Sequence, residues 1–267
     1  MISKGIKKLS QKIPFVNFND GGPRPDDVYL VSYPRSGNTW VRTIIARQLY
    51  SQRRIRSLED LDVLVPDLHR SVSDEARGVS SYLSNSLVIK SHFPRAVHRS
   101  QSNLGEQKII YLVRHPRDVV TSYFDYKKNV GGGVQEASFE KFVDMFVNGA
   151  VWPCSWREHV VSWTKCKKGS VMVLKYENIK EDTNASIRRI ASFLGVSITD
   201  KEVKRVEKFS SRQNMVSLEE KGSLVDSSYN FVRRSSDKRL AEDQLTDELV
   251  ERIRRRSKLA LNTVSYI

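Results

Sequence analysis

Arg35, Ser36, Gly37, Asn38 and Thr39 stand between a run of β-branched and aromatic residues and a helical pattern, in the stretch VYLVSYPRSGNTW (28–40). A strand that stops at Pro34 and resumes as a helix at Thr39 leaves a short loop whose backbone N–H groups, with one guanidinium among them, converge on a point. Such a loop suits an anion. A second junction of the same kind follows in KIIYLVRHPRDVVTSYFDYKK, where a buried-strand pattern runs into Arg114, His115 and Arg117 and then, through Pro116, into a helix. Open parallel sheets hold ligands at the carboxyl ends of their strands, so the two basic loops can share one ligand. The first loop is not that of the nucleoside triphosphatases: GxxxxGK[ST] needs two glycines and a lysine, and YPRSGNTW has Gly37 and Arg35. Between the loops, KSHFP (90–94) carries His92 with Lys90 two residues before it.

The elements that must position these residues alternate between strand and helix periods. The first strand is expected at about 28–33, and Trp40, Val41, Ile44, Ile45 and Leu49 then recur at helical spacing. SLVIKSH, KIIYLVR and VMVLKYENI are short apolar runs of the length of buried strands. Phe139, Phe142, Val143 and Phe146, and then Trp156, His159, Val160 and Trp163, form helical stripes that read as core packing. DTNASIRRIASFLG is a helix with Gly195 as its stop, and TDELVERIRRRSKLAL is another. The pattern gives an α/β fold, a mostly parallel sheet flanked by helices, as one domain over 1–267 with an irregular lead-in at 1–26. KNVGGGVQEAS reads as a surface loop. Residues 209–240 show no clear periodicity, and a stretch of that length is most often a lid or binding loop.

Across 267 residues, 45 Lys and Arg face 31 Asp and Glu, a formal net charge of +14. An excess of that size points to an acidic partner. The basic clusters carry few interleaved aromatics, which argues for an anionic small ligand and against nucleic acid as the main partner. Cys154 and Cys166 lack metal-ligand spacing and are too few for a disulfide framework, so a reducing, cytoplasmic setting is expected. The basic start MISKGIKKLSQKIPF has no apolar run long enough for a signal peptide, and no later segment approaches a membrane span.

YPRSGNTW at 33–40 resembles the phosphosulfate loop, close to YPKSGTTW, of the cytosolic-type sulfotransferases that use 3′-phosphoadenosine 5′-phosphosulfate (PAPS). RHPRDVVTSYF at 114–124 is similar to that family's second element, close to RNPKDVxVSYY. KSHFP matches a KTHLP-like segment, and VLKYENIKEDTNASIRRIASFLG looks like YEDMKxDP…IxxFLG. The motifs follow in the family's order over residues 28–200. Beyond them the likeness thins: FVRRSSDKR (231–239) keeps Arg-Arg-Ser where Arg-Lys-Gly is usual and lacks the glycines and tryptophan that follow, and SSRQNM (210–215) has Arg212 where an aromatic residue packs on adenine. The family's short carboxyl-terminal dimer motif is not found, which leaves the oligomeric state open.

The resemblance implies roles. Arg35, Ser36, Gly37, Asn38 and Thr39 would wrap the 5′-phosphosulfate, and Trp40 would offer its face to adenine. Arg35 stands where the family has lysine, a planar fork replacing a point donor. Arg114 and Ser122 match the 3′-phosphate contacts; the alternative is that Arg114 braces Asp118 and Ser122 caps a turn. Tyr176 matches a tyrosine near adenine and could equally be a core strand residue. Arg212, Arg233, Arg234 and Ser235 would close over the nucleotide. His92 would be the general base and Lys90 would steady charge on the transferring group, with no metal required. His115 is read as structural. The implied reaction is transfer of a sulfuryl group from PAPS to a hydroxyl of a small molecule, sugar, lipid or peptide, releasing adenosine 3′,5′-bisphosphate (PAP). The rivals are a nucleotide-dependent kinase and a non-catalytic binder of nucleotides or polyanions.

Overall fold

Side chains alternate across a strand, so Tyr29, Val31 and Tyr33 must fall on one side of the first strand and Val28 and Leu30 on the other. Both sets are buried, in two separate apolar clusters. That double burial marks a central parallel strand covered by helices on both faces. The computed structural model describes residues 24–69, 86–96, 107–130, 134–165, 170–222, 232, 234 and 241–267. In chain order the elements are β1 (Val28–Ser32), α1 (Asn38–Leu49), α2 (Asp60–Leu64), β2 (Val88–Ser91), β3 (Ile109–Val113), α3 (Pro116–Val130), α4 (Phe139–Asn148) and α5 (Trp156–Thr164). They continue with β4 (Val171–Lys175), α6 (Tyr176–Glu181), α7 (Thr183–Leu194), α8 (Asp200–Phe209), α9 (Arg212–Glu220) and α10 (Asp247–Thr263).

The strands form a parallel sheet in the order β2-β1-β3-β4, the α/β architecture expected. The register pairs Leu30 with Lys90, Val31 with Ser91 and Tyr111, and Val113 with Lys175. As a result the carboxyl ends of β1, β2 and β3 lie side by side, and the loops after them meet at one edge. Helices α3, α4, α5 and α10 pack with one another on one face, where Phe142, Phe146, Trp156 and Trp163 are buried. On the other face lie α1, α7 and α8, with Ile44, Ile45, Ile187, Ile190 and Val206. At about 1.5–3 kcal/mol for each large side chain removed from water, these two layers are the main force holding the edge loops in place.

Local signals fix most boundaries. Ser138 caps α4, and Ser155 with Glu158 forms a capping box on α5. Asp182 caps α7, and Gly195 ends it at φ 76. Two regions depart from the sequence expectation. VMVLKYENI is expected as a strand throughout, yet β4 ends at Lys175 and Tyr176 opens α6. The chain turns polar and basic from about 196, and 209–240 lacks visible periodicity. Even so, a Thr199–Glu202 capping box starts α8 and a Ser211 side chain starts α9. Each buries few apolar residues, Val203 and Val206 in one and Met215 and Leu218 in the other, which is why the period was faint. Most of 223–240, the greater part of the lead-in, Gly131–Gly133 and Cys166 lie outside the described residues. Among the described residues no helix is long and apolar enough to cross a membrane.

Candidate active site

The β1–α1 loop turns through two left-handed residues, Arg35 at φ 66 and Gly37 at φ 98. A non-glycine residue in that region is uncommon and stores strain. At Gly37 a side chain is excluded outright, since a Cβ would lie 2.5 Å from the Tyr176 ring. Gly37 therefore lets α6 bring Tyr176 against the loop, and Trp40 meets the same ring edge-on at 5.6 Å. Asn38 opens α1 and donates from Nδ2 to Ser32 Oγ at 3.0 Å. Ser36 is fully buried, and its Oγ has no partner among the described residues. The helix N-terminus adds unsatisfied N–H groups and a positive dipole end.

The second loop packs directly on the first. Arg114 lies over the Tyr176 ring at 4.6 Å and donates from a terminal nitrogen to the Arg35 carbonyl at 3.2 Å, while its buried Nε–H has no partner among the described residues. Arg35 reaches the other way, over Tyr126 at 5.0 Å, and donates from Nε to Ser122 Oγ at 3.3 Å. The two arginines and Ser122, expected at opposite ends of one nucleotide, thus form a continuous basic floor. The His115 main-chain N–H donates to Glu177, and its ring meets Tyr266 edge-on.

His92 follows β2 on the far side of the loop. Its Nδ1 is 2.7 Å from the Ser32 carbonyl, which can only accept, so Nδ1 carries the proton and Nε2 presents a lone pair. The His92 main chain is pinned too. Its N–H donates to His69 Nε2 at 2.9 Å, and its carbonyl accepts from His159 Nε2 at 3.1 Å; His159 Nδ1 in turn accepts from Tyr111. Burial first, then Lys90 and His69, push the His92 ring well below the usual imidazole range, so it is neutral at pH 7. Lys90 is paired with Asp67 at 2.6 Å, their side chains 10% and 12% exposed. Burial alone would raise the Asp67 carboxyl, but Lys90, His69 and His92 hold it below the usual carboxylate range.

A cavity of about 1380 Å³ joins these parts; Arg35, Thr39, Lys90, His92, Arg114 and Tyr176 are among its walls. Arg212, the first residue of α9, and Arg234 line it as well, and Arg234 is paired with Glu220 at 3.1 Å. Arg233 and Ser235 lie outside the described residues. Asp67, His69, Trp152 and Tyr126 also line the cavity, and motif reading missed them. Tyr126 was within reach, four residues after Ser122 on one helix face. Asp67 and His69 sit in an irregular segment with no periodic signal. Trp152, 40% exposed, turns its ring edge-on to His69 and His92.

A family model described as the sulfotransferase domain matches residues 25–264. Sulfotransferase 1E1 of Bos taurus is 34% identical over 207 residues, 75% of this chain and 70% of the relative. Amine sulfotransferase of Oryctolagus cuniculus is 30% identical over 198 residues, 72% and 64% of the two chains. Among solved structures, mouse sulfotransferase SULT7A1 complexed with PAP aligns with a TM-score of 0.66 at 22% identity, covering 96% of this chain and 88% of that one. A retinol dehydratase complex with retinol and PAP aligns with a TM-score of 0.62 at 20% identity, covering 96% and 85%. The chain belongs to the sulfotransferase family.

Proposed function

We propose that this protein is a PAPS-dependent O-sulfotransferase, with His92 as general base and the two basic loops as the nucleotide site. The observation that carries the reading is the shared cavity. A histidine of fixed tautomer opens into the same space as two cationic loops that end neighbouring strands. The donor set fits a bisphosphorylated nucleotide: the buried Arg114 Nε–H lacks a partner among the described residues, and Tyr176 and Trp40 offer rings beside it. The PAP named in the SULT7A1 and retinol dehydratase structures agrees with that fit.

PAPS brings an activated sulfuryl group on a phosphate that leaves readily. His92 Nε2 takes the acceptor's hydroxyl proton as the acceptor oxygen bonds to sulfur and the bond from sulfur to the 5′-phosphate oxygen breaks. The electron pair of the broken bond goes to the 5′-phosphate. Arg35, Lys90 and the N–H groups of the first loop offset charge on the sulfuryl oxygens and the leaving group. Arg114 and Ser122 hold the 3′-phosphate, with Arg212, Arg233, Arg234 and Ser235 closing over the nucleotide. The retinol and androsterone named in retinol dehydratase structures make a hydroxylated small molecule one reasonable acceptor class. A reducing, cytoplasmic setting goes with a buried free thiol at Cys154. Sulfur-labelled PAPS incubated with phenols, steroids, sugars, lipids and peptides tests the reading. Labelled product with at least one class is expected, and no transfer to any of them, with PAP failing to bind, would refute it.

A further inference from the structure

We propose that Asp67 is a positioning residue for the transfer reaction: its carboxylate holds Lys90 and offsets part of the lysine's field at His92, which eases the ring's passage to imidazolium when it takes the acceptor proton. This rests on the reading of His92 as general base. The placement of Asp67 is built from several directions. Arg42 on α1 donates to the carbonyls of Leu61 and Val65 and pairs with Asp62 at 2.9 Å, which fixes the chain leaving α2. That chain then lies along the free edge of β2 as a short parallel bridge between Asp67 and Lys90. Lys90 N–H donates to the Pro66 carbonyl at 2.8 Å, and Leu68 N–H to the Lys90 carbonyl at 2.9 Å. Asp67 Oδ1 accepts from the His69 N–H at 3.0 Å, leaving Oδ2 to the Lys90 ammonium at 2.6 Å.

Charge explains why such a bridge matters. The groups facing His92 are Lys90 from β2, Asp67 and His69 from the bridging segment, and His159 of α5 on its carbonyl; Ser32 of β1 and Trp152 are uncharged. A lone ammonium two residues from the base would oppose a second positive charge in a site where water screens little. Paired with a carboxylate at 2.6 Å, the same lysine acts on the ring with part of its field offset. Burial and Lys90 both lower the His92 ring, and Asp67 acts against them. Lys90 can therefore stay charged for the sulfuryl oxygens without disabling the base beside it.

The test combines pH–rate profiles with NMR titration of the His92 imidazole in the PAP complex, for the wild type, Asp67→Asn, Asp67→Glu, Lys90→Met and the Asp67→Asn/Lys90→Met pair. A base must be unprotonated to act, so Asp67→Asn should move the acid limb and the His92 titration about one pH unit lower. The weaker base should lower the plateau rate roughly 3–10-fold. Asp67→Glu should restore both, Lys90→Met should move the titration about one pH unit up, and the double variant should return it to the wild-type position. The double variant removes both buried charges together, so it decides the matter even if Asp67→Asn alone does not fold. Loss of rate with the limb and the His92 titration unmoved would make Asp67 structural and overturn the proposal. The titration needs no acceptor, so failure to find sulfuryl transfer would count against the proposed function and leave this proposal readable.

Discussion

The proposed nucleotide side and the proposed base side of the cavity hold their cations against different groups. Arg35 and Arg114 lie over tyrosine rings, and their guanidinium groups cross between the two loops. Lys90 is held against a carboxylate at 2.6 Å in a nearly buried pair. A site that must capture a multiply charged anion gains from several cations gathered on aromatic faces. A site that must move a proton gains from a local balance that lets a base change charge. One edge of the sheet holds both because the β1–α1 loop separates them.

If that division is right, substitutions on the two sides should fail differently. The largest effect is expected for His92→Ala, which should lower kcat by about 10²–10⁴-fold while PAP affinity, measured by calorimetry, stays within a factor of a few. Arg114→Ala should do the reverse, weakening PAP binding roughly 10–100-fold and leaving the weaker binding of AMP nearly unchanged, because the lost charge-assisted bonds are those to the 3′-phosphate. Gly37→Ala joins the two sides: its Cβ would collide with Tyr176 at a left-handed φ. It should cost about 1–3 kcal/mol of stability, visible as a lowered Tm, and weaken PAP binding as well.

The smallest effect is on acid stability. Burial pushes His159 down to about 3 and His69 to about 4, against 6.5 in the unfolded chain. Below pH 6.5 the unfolded state binds the protons that the folded state refuses, so stability is full above that pH and is lost as the pH falls. The fully buried His159 alone should contribute a slope of about 1.4 kcal/mol per pH unit, readable in urea titrations between pH 6.5 and 4.

The nucleotide side was legible in the sequence because its parts are local. Strand, loop and helix are contiguous in VYLVSYPRSGNTW, and Arg114 stands at a second such junction, while Ser122 was named by the family resemblance. The base side is assembled across the chain. Asp67 meets Lys90 through a two-residue bridge, and His69 and His159 pin the His92 backbone from two other elements. No period in sequence reports such contacts. His159 was read as a core residue in a helical stripe; it is fully buried, but its hydrogen bond to the His92 carbonyl could not be seen from a stripe. For Tyr176 the pattern misled: the strand-like run continues past the point where Tyr176 turns into α6. In 196–220, helices carried by two or three apolar residues and a cap leave too weak a period to read.

The central claim is that two loops from neighbouring strands grip one nucleotide by both of its phosphates. Calorimetric titration of the unmodified protein with PAP and with AMP, in the same buffer at low salt, tests it most directly. Only PAP engages Arg114 and Ser122 together with the Arg35 loop, so the account predicts PAP binding at least about 10-fold tighter, with the difference shrinking as salt is raised. Equal affinity for the two nucleotides would contradict it.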